Sequence, residues 1–531
     1  MTTQGTLAWP LRRALATHAD HEAVVDGPVR MTYRQWARRV HGLSGGLRAL
    51  GLTAGDVVAS ISQNSYRHLE CWVGIPLAAM VLNDLNFRLA VPELEFIVND
   101  CGAKALVTDG TYLDVARQLR DRCPSVQHLV FAADGPAPDG LVHWDDLCAA
   151  EPLAEDHPDL AAINDSTLAS ISYTGGTTGL PKGVMQSHGN LLANAKHILL
   201  ATPQRPDDRF IHAAPMFHAA DAANNFSVTF VGGTHVIIPA FDAELFGRMV
   251  EQEKVTIALI VPTMINMLVN HPSTPQRDLS SWRLLSYGGS PMPVELLRKA
   301  LEMLPCEFVQ LYGMTEAAPL VTSTQPADNR RGATGEEPYA RRLASCGQAV
   351  VGVEVEVRGP DGMRCAAGEP GEVHVRGPNI MLGYWNCPEE TAKALLADGW
   401  YRSGDVAYAD EDGYLYIVDR AKDMIISGGE NIYTTEVENA VFRHPAVLEV
   451  AVFGIPDDMW GEKVHAEVVA KPGTSVTADE IIATCRELIA GYKVPRSVVV
   501  RADALPKSGA GKILKRDLRD PYWVGREKGV N

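Results

Sequence analysis

Residues 173–184 read YTGGTTGLPKGV, and they are the most informative part of the chain. They directly follow the apolar run LASIS at residues 168–172. A buried strand that opens into such a loop offers backbone N–H groups and hydroxyls to a polyanion, with a lysine as counter-charge. Glycine is needed because phosphate oxygens must approach the main chain. The stretch therefore predicts a loop that binds nucleotide phosphate.

This loop differs from a Walker loop, which requires Gly-Lys-Ser/Thr in direct succession. Here Leu180 and Pro181 separate Gly179 from Lys182. Taken alone, the stretch leaves two interpretations open: a phosphate loop and a solvent-exposed turn.

Composition sets limits on the function. A chain of 531 residues is expected to hold more than one domain, and 46% hydrophobic with 21% charged residues is ordinary for a globular protein. The formal net charge of −17 argues against nucleic acids and anionic membranes as main partners. Small polyanionic ligands remain compatible with this charge, because a site for them needs only to be locally basic.

Cysteine usage and hydropathy indicate a cytoplasmic protein. The nine cysteines include no Cys-x-x-Cys pair, which favours reduced thiols over disulfides or a zinc site. Residues 1–10 lack the layout of a signal peptide. The longest apolar stretch, residues 69–82, contains Glu70 and is too short to span a bilayer, so we expect no stable membrane insertion.

Short apolar runs alternate with helical patterns from about residue 20 to residue 320. Runs at residues 56–61, 105–108, 234–238 and 256–260 are typical of buried strands. Such alternation predicts α/β units with largely parallel sheets, whose ligands bind at the carboxyl ends of the strands. Candidate loops follow Ser172, Tyr287 and Leu311.

Two further regions follow. Residues 349–417 show short alternating strands with Gly/Pro turns and predict a β-rich subdomain. A final segment has its own strand and helix patterns. We therefore predict a large N-terminal domain at residues 1–419 and a small, mobile α+β domain at residues 420–531.

Seven more motifs accompany the loop. In order they are PMFH (215–218), YGGSP (287–291), YGMTE (312–316), YRSGD (401–405), DRAKD (419–423), SGGEN (427–431) and PKSGAGK (506–512). Together with the loop, they resemble the motifs of the adenylate-forming enzymes, which include acyl-CoA synthetases, luciferases and the adenylation domains of peptide synthetases. The resemblance covers nearly the whole chain.

The resemblance implies a two-step reaction that uses ATP, Mg²⁺ and CoA. A carboxylate attacks the α-phosphate of ATP to give acyl-AMP and pyrophosphate, and a thiol then displaces AMP. Charge develops on phosphate and carbonyl oxygens, so placed donors and cations are expected to supply most of the catalysis.

The resemblance assigns four catalytic roles. Lys512 bridges the carboxylate and the α-phosphate, Thr315 binds the α-phosphate, and Glu316 is the magnesium ligand. His218, with Phe217, forms a gate between the acyl pocket and the pantetheine channel. Taken alone, Lys512 is also compatible with a solvated lysine, Glu316 with a charge at a helix start before Ala317, and His218 with a core histidine.

A larger set resembles the ATP and AMP contacts of the family. Asp405 matches a ribose contact, Arg420 a second ribose or phosphate contact, and Tyr312 an adenine-stacking residue. Taken alone, Asp405 and Arg420 are each also compatible with a surface ion pair. The full set is Thr174, Gly175, Gly176, Thr177, Thr178, Gly179, Lys182, Gly288, Gly289, Ser290, Tyr312, Gly313, Asp405 and Arg420. Gly176 departs from the serine of many relatives, from which we expect altered nucleotide affinity at most.

Lys422 falls where the family places its hinge, and Lys422→Pro is expected to slow thioester formation while sparing adenylation. The expected CoA contacts are Gly428, Gly429, Glu430, Trp460, Lys493 and Arg496. A buried tryptophan that packs the small domain is the competing interpretation of Trp460.

The acid is less defined. Ala219 stands where amino-acid-activating relatives carry an aspartate, which argues against an amino-acid substrate. The predicted acyl pocket comprises Phe217, Ala219, Ala222, Asn225, Tyr287 and Met314. The small side chains within residues 219–226 favour a roomy pocket and therefore a hydrophobic fatty, aryl or bulky cyclic acid. Alanines that only allow close helix packing are the equally weighted alternative. Asp221 is read as a helix cap, and with Asn225 it is the residue to suspect if a polar acid binds.

Three alternatives to a carboxylic acid–CoA ligase stay open. An acyl-AMP ligase would load a separate carrier protein. A luciferase-type oxidase would need oxygen chemistry in the acyl pocket, and no motif in the sequence indicates it. A degenerate nucleotide-binding regulatory protein is the alternative from another class. A monomer and a homodimer are both compatible with the sequence.

Overall fold

The structure is a computed structural model that describes residues 5–174, 181–290, 292–420, 423–427, 430–457, 459–508 and 513–524. Its strands are β1 (Glu22–Asp26), β2 (Val29–Thr32), β3 (Val57–Ile61), β4 (Val81–Asp84), β5 (Ala105–Thr108), β6 (His128–Phe131), β7 (Val142–His143), β8 (Leu168–Thr174), β9 (Lys182–Ser187), β10 (Arg209–His212), β11 (Thr234–Ile237), β12 (Ile257–Ile260), β13 (Leu284–Gly288), β14 (Glu307–Gly313), β15 (Leu320–Ser323), β16 (Gln348–Ala349), β17 (Glu354–Arg358), β18 (Gly371–Arg376), β19 (Gly383–Tyr384), β20 (Tyr401–Ala409), β21 (Leu415–Arg420), β22 (Ile425–Ser427), β23 (Glu430–Ile432), β24 (Val447–Asp457), β25 (Gly461–Ala470) and β26 (Ser497–Arg501).

Its helices are α1 (Ala8–His18), α2 (Tyr33–Ala49), α3 (Tyr66–Leu77), α4 (Val91–Cys101), α5 (Leu113–Arg122), α6 (Trp144–Cys148), α7 (Pro158–Ala161), α8 (His188–Ala201), α9 (Ala219–Val231), α10 (Ala243–Glu253), α11 (Pro262–Asn270), α12 (Val294–Met303), α13 (Pro326–Ala333), α14 (Tyr339–Arg342), α15 (Pro388–Ala394), α16 (Thr434–Phe442), α17 (Ala478–Leu488) and α18 (Lys515–Arg519).

The first large sheet has nine strands in the order β16-β15-β14-β13-β12-β10-β11-β1-β2. The six strands from β14 to β1 are parallel, and β2, β15 and β16 add antiparallel edges. This arrangement confirms the predicted largely parallel α/β architecture. The edges are antiparallel because β15 returns after a short turn, which leaves no room for a crossover helix.

The second large sheet has eight strands in the order β19-β9-β8-β4-β3-β5-β6-β7. Strand β3 reads VVASI and is buried at every position, as expected of a parallel strand that is covered on both faces. Strands β8 and β9 form an antiparallel pair on either side of the glycine-rich loop, with Thr174 opposite Lys182. Lys182 therefore begins a strand.

The β-rich region forms a four-stranded sheet in the order β17-β18-β20-β21, and the C-terminal region forms a five-stranded sheet from β22 to β26. The fold is thus a large N-terminal α/β domain that includes a β-rich part, followed by a small α+β domain. The large-domain strands end at Arg420 and the small-domain strands begin at Ile425, but the exact boundary and the mobility remain predictions.

The described part of the chain contains no helix that is both long and apolar enough to cross a membrane. All nine cysteines are free thiols, seven of them buried. The reduced state of these thiols stays a prediction from the cysteine spacing.

Candidate active site

A large cleft, about 1890 Å³ in volume, is lined by residues at the strand ends of the large domain and by residues of the small domain. It brings together most of the predicted site residues that the structure describes. They are Thr174, Lys182, Phe217, His218, Ala219, Gly288, Gly289, Ser290, Tyr312, Gly313, Met314, Thr315, Glu316, Asp405, Arg420 and Lys493. The sheet topology explains this convergence, because β8, β13 and β14 all end at the cleft.

Nine predicted residues lie outside the described ranges. They are Gly175, Gly176, Thr177, Thr178 and Gly179 of the loop, Lys422, Gly428, Gly429 and Lys512. Their roles remain predictions.

Two glycines at the cleft are required by the backbone itself. A Cβ at Gly288 would lie 2.1 Å from the Leu311 carbonyl oxygen, and one at Gly313 would lie 1.8 Å from the Pro319 carbonyl oxygen. Gly289 adopts a positive φ of 78°. Strand packing therefore accounts for these glycines, whether or not a base lies against them.

Asp405 is the centre of the expected nucleotide end. The Tyr312 hydroxyl donates to its Oδ2 at 2.8 Å, and Arg420 Nε lies 3.2 Å from its Oδ1. The strands fix the Asp405–Arg420 pair, because these residues are opposite each other in the β20–β21 ladder. Burial, reinforced by the Asp405 carboxylate, raises the pKa of Tyr312, so the phenol stays protonated as a donor.

Glu316 lies on a short 3₁₀ turn, Thr315–Ala317. The alternative of an acidic charge at a helix start agrees with this placement, because Glu316 lies in the first turn of the short 3₁₀ helix. Pro319 follows and disfavours continuation of that helix. The Tyr384 hydroxyl donates to Glu316 Oε1 at 3.0 Å. Burial raises the pKa of Glu316, although this bond and Arg420 oppose the shift.

Lys182 forms an ion pair with Glu390 on α15, with 2.5 Å between Nζ and Oε2. Its ammonium group also lies 5.2 Å from the centre of the Tyr384 ring. Tyr384 thus contacts both the predicted magnesium ligand and the predicted phosphate lysine.

His218 is the N-cap of α9, and its Nδ1 accepts a hydrogen bond from the Ala220 amide at 3.3 Å. Asp221 was predicted to be the cap, and this prediction is wrong. It lies in the first turn, fully buried, with Oδ2 2.7 Å from His212 Nδ1. Because α9 begins at Ala219, the cap position falls on His218.

The two faces of α9 separate the predicted acyl residues. Ala219 and Ala220 line the cleft. At 100° per residue, Asp221 and Asn225 point to the opposite side of the helix. Asn225 is fully buried, and neither of its side-chain polar atoms has a hydrogen-bond partner among the described residues. The structure therefore places Asn225 away from the cleft.

Ala222 and Tyr287 are also absent from the cleft wall, contrary to the predicted acyl pocket. Ala222 packs in a core cluster with Leu191 and Phe226. Tyr287 is fully buried in another core cluster, and its ring packs edge-on against Phe308. Successive strand residues face opposite sides, so Gly288 reaches the cleft and Tyr287 does not.

The expected CoA residues are divided between two places. Trp460 is 40% exposed, and the Arg496 guanidinium lies 4.9 Å from its ring centre, so the interpretation as a buried packing residue is wrong. Lys493 instead lines the cleft and donates to both carboxylate oxygens of Glu436, each at 2.8 Å. Glu430 is exposed on β23.

The cleft residues that sequence reasoning missed include Ala220, Tyr384, Glu390 and Lys393. The helical period of α9 was available to find Ala220, since it is adjacent to Ala219 on one face. The other three depend on β19 pairing with β9, a contact between segments about 200 residues apart that leaves no local pattern.

The fold and the cleft are typical of an α/β enzyme with a small C-terminal domain. Comparisons with known proteins identify its family. The sequence profile of the AMP-binding enzyme family matches residues 11–385, and that of the AMP-binding enzyme C-terminal domain matches residues 436–512. Feruloyl-CoA synthase from Amycolatopsis sp is 42% identical over 525 residues, which cover 98% of this chain and 99% of that protein.

Two further relatives extend the comparison. The fatty acid–[acyl-carrier-protein] ligase ScoC from Streptomyces coeruleorubidus is 34% identical and covers 97% of this chain and 96% of that protein. The crystal structure of the anthranilate CoA ligase AuaEII with anthranoyl-AMP superimposes with a TM-score of 0.88 at 26% identity, covering 97% of each chain.

The chain belongs to the AMP-binding enzyme family, in the adenylate-forming superfamily of acyl-CoA synthetases. It is an acid–thiol ligase, which sets aside the alternative of a regulatory nucleotide-binding protein.

Proposed function

We propose that this enzyme activates a hydrophobic carboxylic acid with ATP as acyl-AMP and transfers the acyl group to CoA. The supporting observation is the juxtaposition within one cleft of a charged end, built around Asp405, and an apolar wall formed by Ala219, Ala220 and Met314. An adenylate spans such a cleft, with AMP at the charged end and the acyl group against the wall.

In the first step a carboxylate oxygen of the acid bonds to the α-phosphorus, and the bond to pyrophosphate breaks. Thr315 and Lys182 are proposed to bind phosphate oxygens, while Asp405 and Arg420 bind the ribose. In the second step a CoA thiolate attacks the acyl carbonyl carbon, and AMP leaves. His218 and Phe217 lie at the proposed gate, where Phe217 packs edge-on against Phe87 at 4.9 Å.

Lys512 is the proposed bridge between carboxylate and α-phosphate. The described residues on either side of its loop, Ser508 and Ile513, both line the cleft, and Arg88 of the large domain donates to the Ser508 carbonyl oxygen at 3.2 Å. This contact supports a role for the loop at the cleft.

Glu316 is the proposed holder of Mg²⁺. The described residues contain no group of three or more His, Cys, Asp or Glu side chains that would hold a metal ion. A single cleft-facing carboxylate nevertheless fits this ion, since magnesium takes one or two carboxylates together with phosphate oxygens and waters. When bound, the ion would neutralise charge on the phosphates.

The acid class is proposed to be hydrophobic, with aryl acids as the first to test. Small side chains at Ala219 and Ala220 leave room for a ring, and Leu259 and Leu311 add apolar wall. The feruloyl-CoA and anthranilate-CoA relatives support aryl acids. The carrier-protein ligase among the relatives keeps a carrier protein as the second candidate acceptor.

The test is pyrophosphate release across fatty, aryl and polycyclic acids, with and without CoA, in wild type and Lys512→Ala. We expect acid-dependent release that falls at least about 100-fold in the variant, and acyl-CoA only when CoA is present. Lys254→Ala is the control, since Lys254 pairs with Asp278 on the surface. Release without acyl-CoA would indicate a carrier-protein acceptor, and release unaffected by Lys512→Ala would contradict the assigned bridge.

A further inference from the structure

Lys182 is one of two lysines held by the same carboxylate. Glu390 Oε2 lies 2.5 Å from Lys182 Nζ, and Glu390 Oε1 lies 2.8 Å from Lys393 Nζ. All three side chains line the cleft. The two ammonium groups lower the pKa of Glu390 to about 2, so the carboxylate is ionised at any physiological pH.

Backbone contacts fix this arrangement. Tyr384 is paired with Val184 in the β19–β9 ladder, and the Trp385 amide donates to the Gly183 carbonyl oxygen at 2.7 Å. The Thr391 hydroxyl accepts a hydrogen bond from the Tyr384 amide at 2.9 Å, which ties α15 to β19. Glu390 and Lys393 are therefore held beside the end of the glycine-rich loop.

Tyr384 connects these lysines to Glu316, on the other side of the proposed phosphate site. Tyr384 contacts Lys182 through its ring and Glu316 through its hydroxyl. Charged and polar groups thus follow one another from Glu316 to Lys182 and on to Lys393. A triphosphate whose α-phosphate lies near Glu316 would point its terminal phosphates towards the two lysines.

We propose that Lys393 is a second lysine for the terminal phosphates of ATP, and that Glu390 holds both lysines in place until pyrophosphate oxygens replace it. The ligand class is a polyphosphate, as the pyrophosphate portion of ATP or as free pyrophosphate. This inference rests on the proposed function, because it requires Lys182 to bind nucleotide phosphate.

Charge and exposure favour this role over a purely structural one. The side chains of Lys182, Glu390 and Lys393 are 25%, 37% and 69% exposed. Ion pairs this accessible contribute little to stability. Glu390 is shared by two lysines, so both ammonium groups become available to a polyanion whose oxygens replace that one carboxylate.

The test is the binding of ATP, inorganic pyrophosphate and AMP to the full chain by calorimetry, without acid. For Lys393→Ala we expect the Kd for ATP and pyrophosphate to rise about three- to tenfold, with the Kd for AMP unchanged, because AMP lacks the terminal phosphates. Lys393→Arg is expected to restore binding, and Lys254→Ala to match wild type. The effect should shrink at high salt.

Glu390→Gln tests the second part of the proposal, in which pyrophosphate oxygens replace Glu390 as the partner of the two lysines. Removing the competing negative charge is expected to tighten ATP and pyrophosphate binding about two- to fivefold, again without effect on AMP. Weaker binding in this variant would overturn the role of Glu390 as a displaced counter-ion.

The outcomes distinguish this inference from the function on which it rests. Wild type that binds ATP and AMP, together with unchanged ATP and pyrophosphate binding in Lys393→Ala, would overturn the second lysine alone. An equal loss for ATP and AMP would also overturn it, since it would indicate a general disturbance. Wild type that binds neither nucleotide would overturn both.

Discussion

The proposed nucleotide end and the proposed acyl end of the cleft are built from different kinds of side chain. The nucleotide end consists of charged side chains that hold one another: Tyr312 and Arg420 on Asp405, and Lys182 on Glu390. The acyl end is formed by alanines on one face of α9, positioned by a histidine cap. Ion pairs and hydrogen bonds hold the side chains of the first end in place, whereas small side chains leave open space at the second.

This difference determines how each end should fail. A charged end loses function when a partner is removed, because the remaining groups are left unpaired. An end defined by empty space loses function when volume is added. The following variants test that contrast.

Asp405→Asn should have the largest effect. The amide keeps the shape, but it loses the charge that Arg420 faces and one acceptor for the ribose. We expect kcat/KM for ATP to fall about 100-fold, equivalent to two strong hydrogen bonds, with KM for the acid changed far less. Steady-state kinetics would show this.

Asp278→Asn is the matched carboxylate control, because Asp278 pairs with Lys254 on the surface. Asp405 would not belong to the nucleotide end if both variants lost kcat/KM for ATP equally. The same conclusion would follow if Asp405→Asn changed only the kinetic constants for the acid.

Ala220→Phe should have a smaller and selective effect. The ring would fill part of the acyl end, so we expect kcat/KM for bulky aryl acids to fall about tenfold or more, while short acids and ATP are affected little. A substrate series that varies acid size measures this.

Asn225→Leu is the matched variant on the opposite face of α9. Acid preference should stay unchanged, and the free energy of unfolding should not fall, because two unpartnered buried polar atoms are removed. A change of acid preference in Asn225→Leu but not in Ala220→Phe would place the acyl group on the other side of the helix.

Asp419→Asn should have the smallest effect on catalysis and a specific effect on stability. Burial raises the pKa of Asp419 to about 6, although Lys515 and the Thr434 amide oppose the shift. The folded state therefore binds more protons than the unfolded state between about pH 4 and pH 6, and the free energy of unfolding falls as pH rises through that window. The loss amounts to about 3 kcal/mol at most.

Denaturant unfolding of wild type and Asp419→Asn from pH 4 to pH 7 checks this prediction. The wild type should lose stability relative to the variant as pH rises. If the free energies of unfolding of the two proteins change with pH in the same way, burial does not raise the pKa of Asp419. Its hydrogen bonds from Thr434, across the predicted domain boundary, would then offset the cost of burying the carboxylate.

The same contrast explains what the sequence alone could predict. Polar motifs predicted which residues meet at the charged part of the cleft, because Asp405, Arg420 and Tyr312 each occur within short patterns that resemble the family. Their nucleotide contacts stay a prediction. The parallel strands were predictable because full burial leaves continuous apolar runs such as β3. The acyl end was predicted only in part, since an alanine that lines a pocket and an alanine that packs a core look alike in sequence.

Three errors have identifiable physical causes. Asp221 was predicted to be a cap because aspartate favours that position, but α9 begins at Ala219, so His218 takes the cap position. Tyr287 was predicted to line the acyl pocket, but the alternation of side chains along β13 places it in the core. Glu390 and Lys393 were missed because the pairing of β19 with β9 joins distant parts of the chain.

A crystal structure with a non-hydrolysable aryl-adenylate analogue tests the account most directly. We expect the ribose hydroxyls within hydrogen-bond distance of Asp405 and the aryl ring against Ala219 and Ala220. An aryl ring that lies on the Asp221 and Asn225 side of α9, or a ribose bound away from Asp405, would contradict the division of the cleft into a charged nucleotide end and an open acyl end.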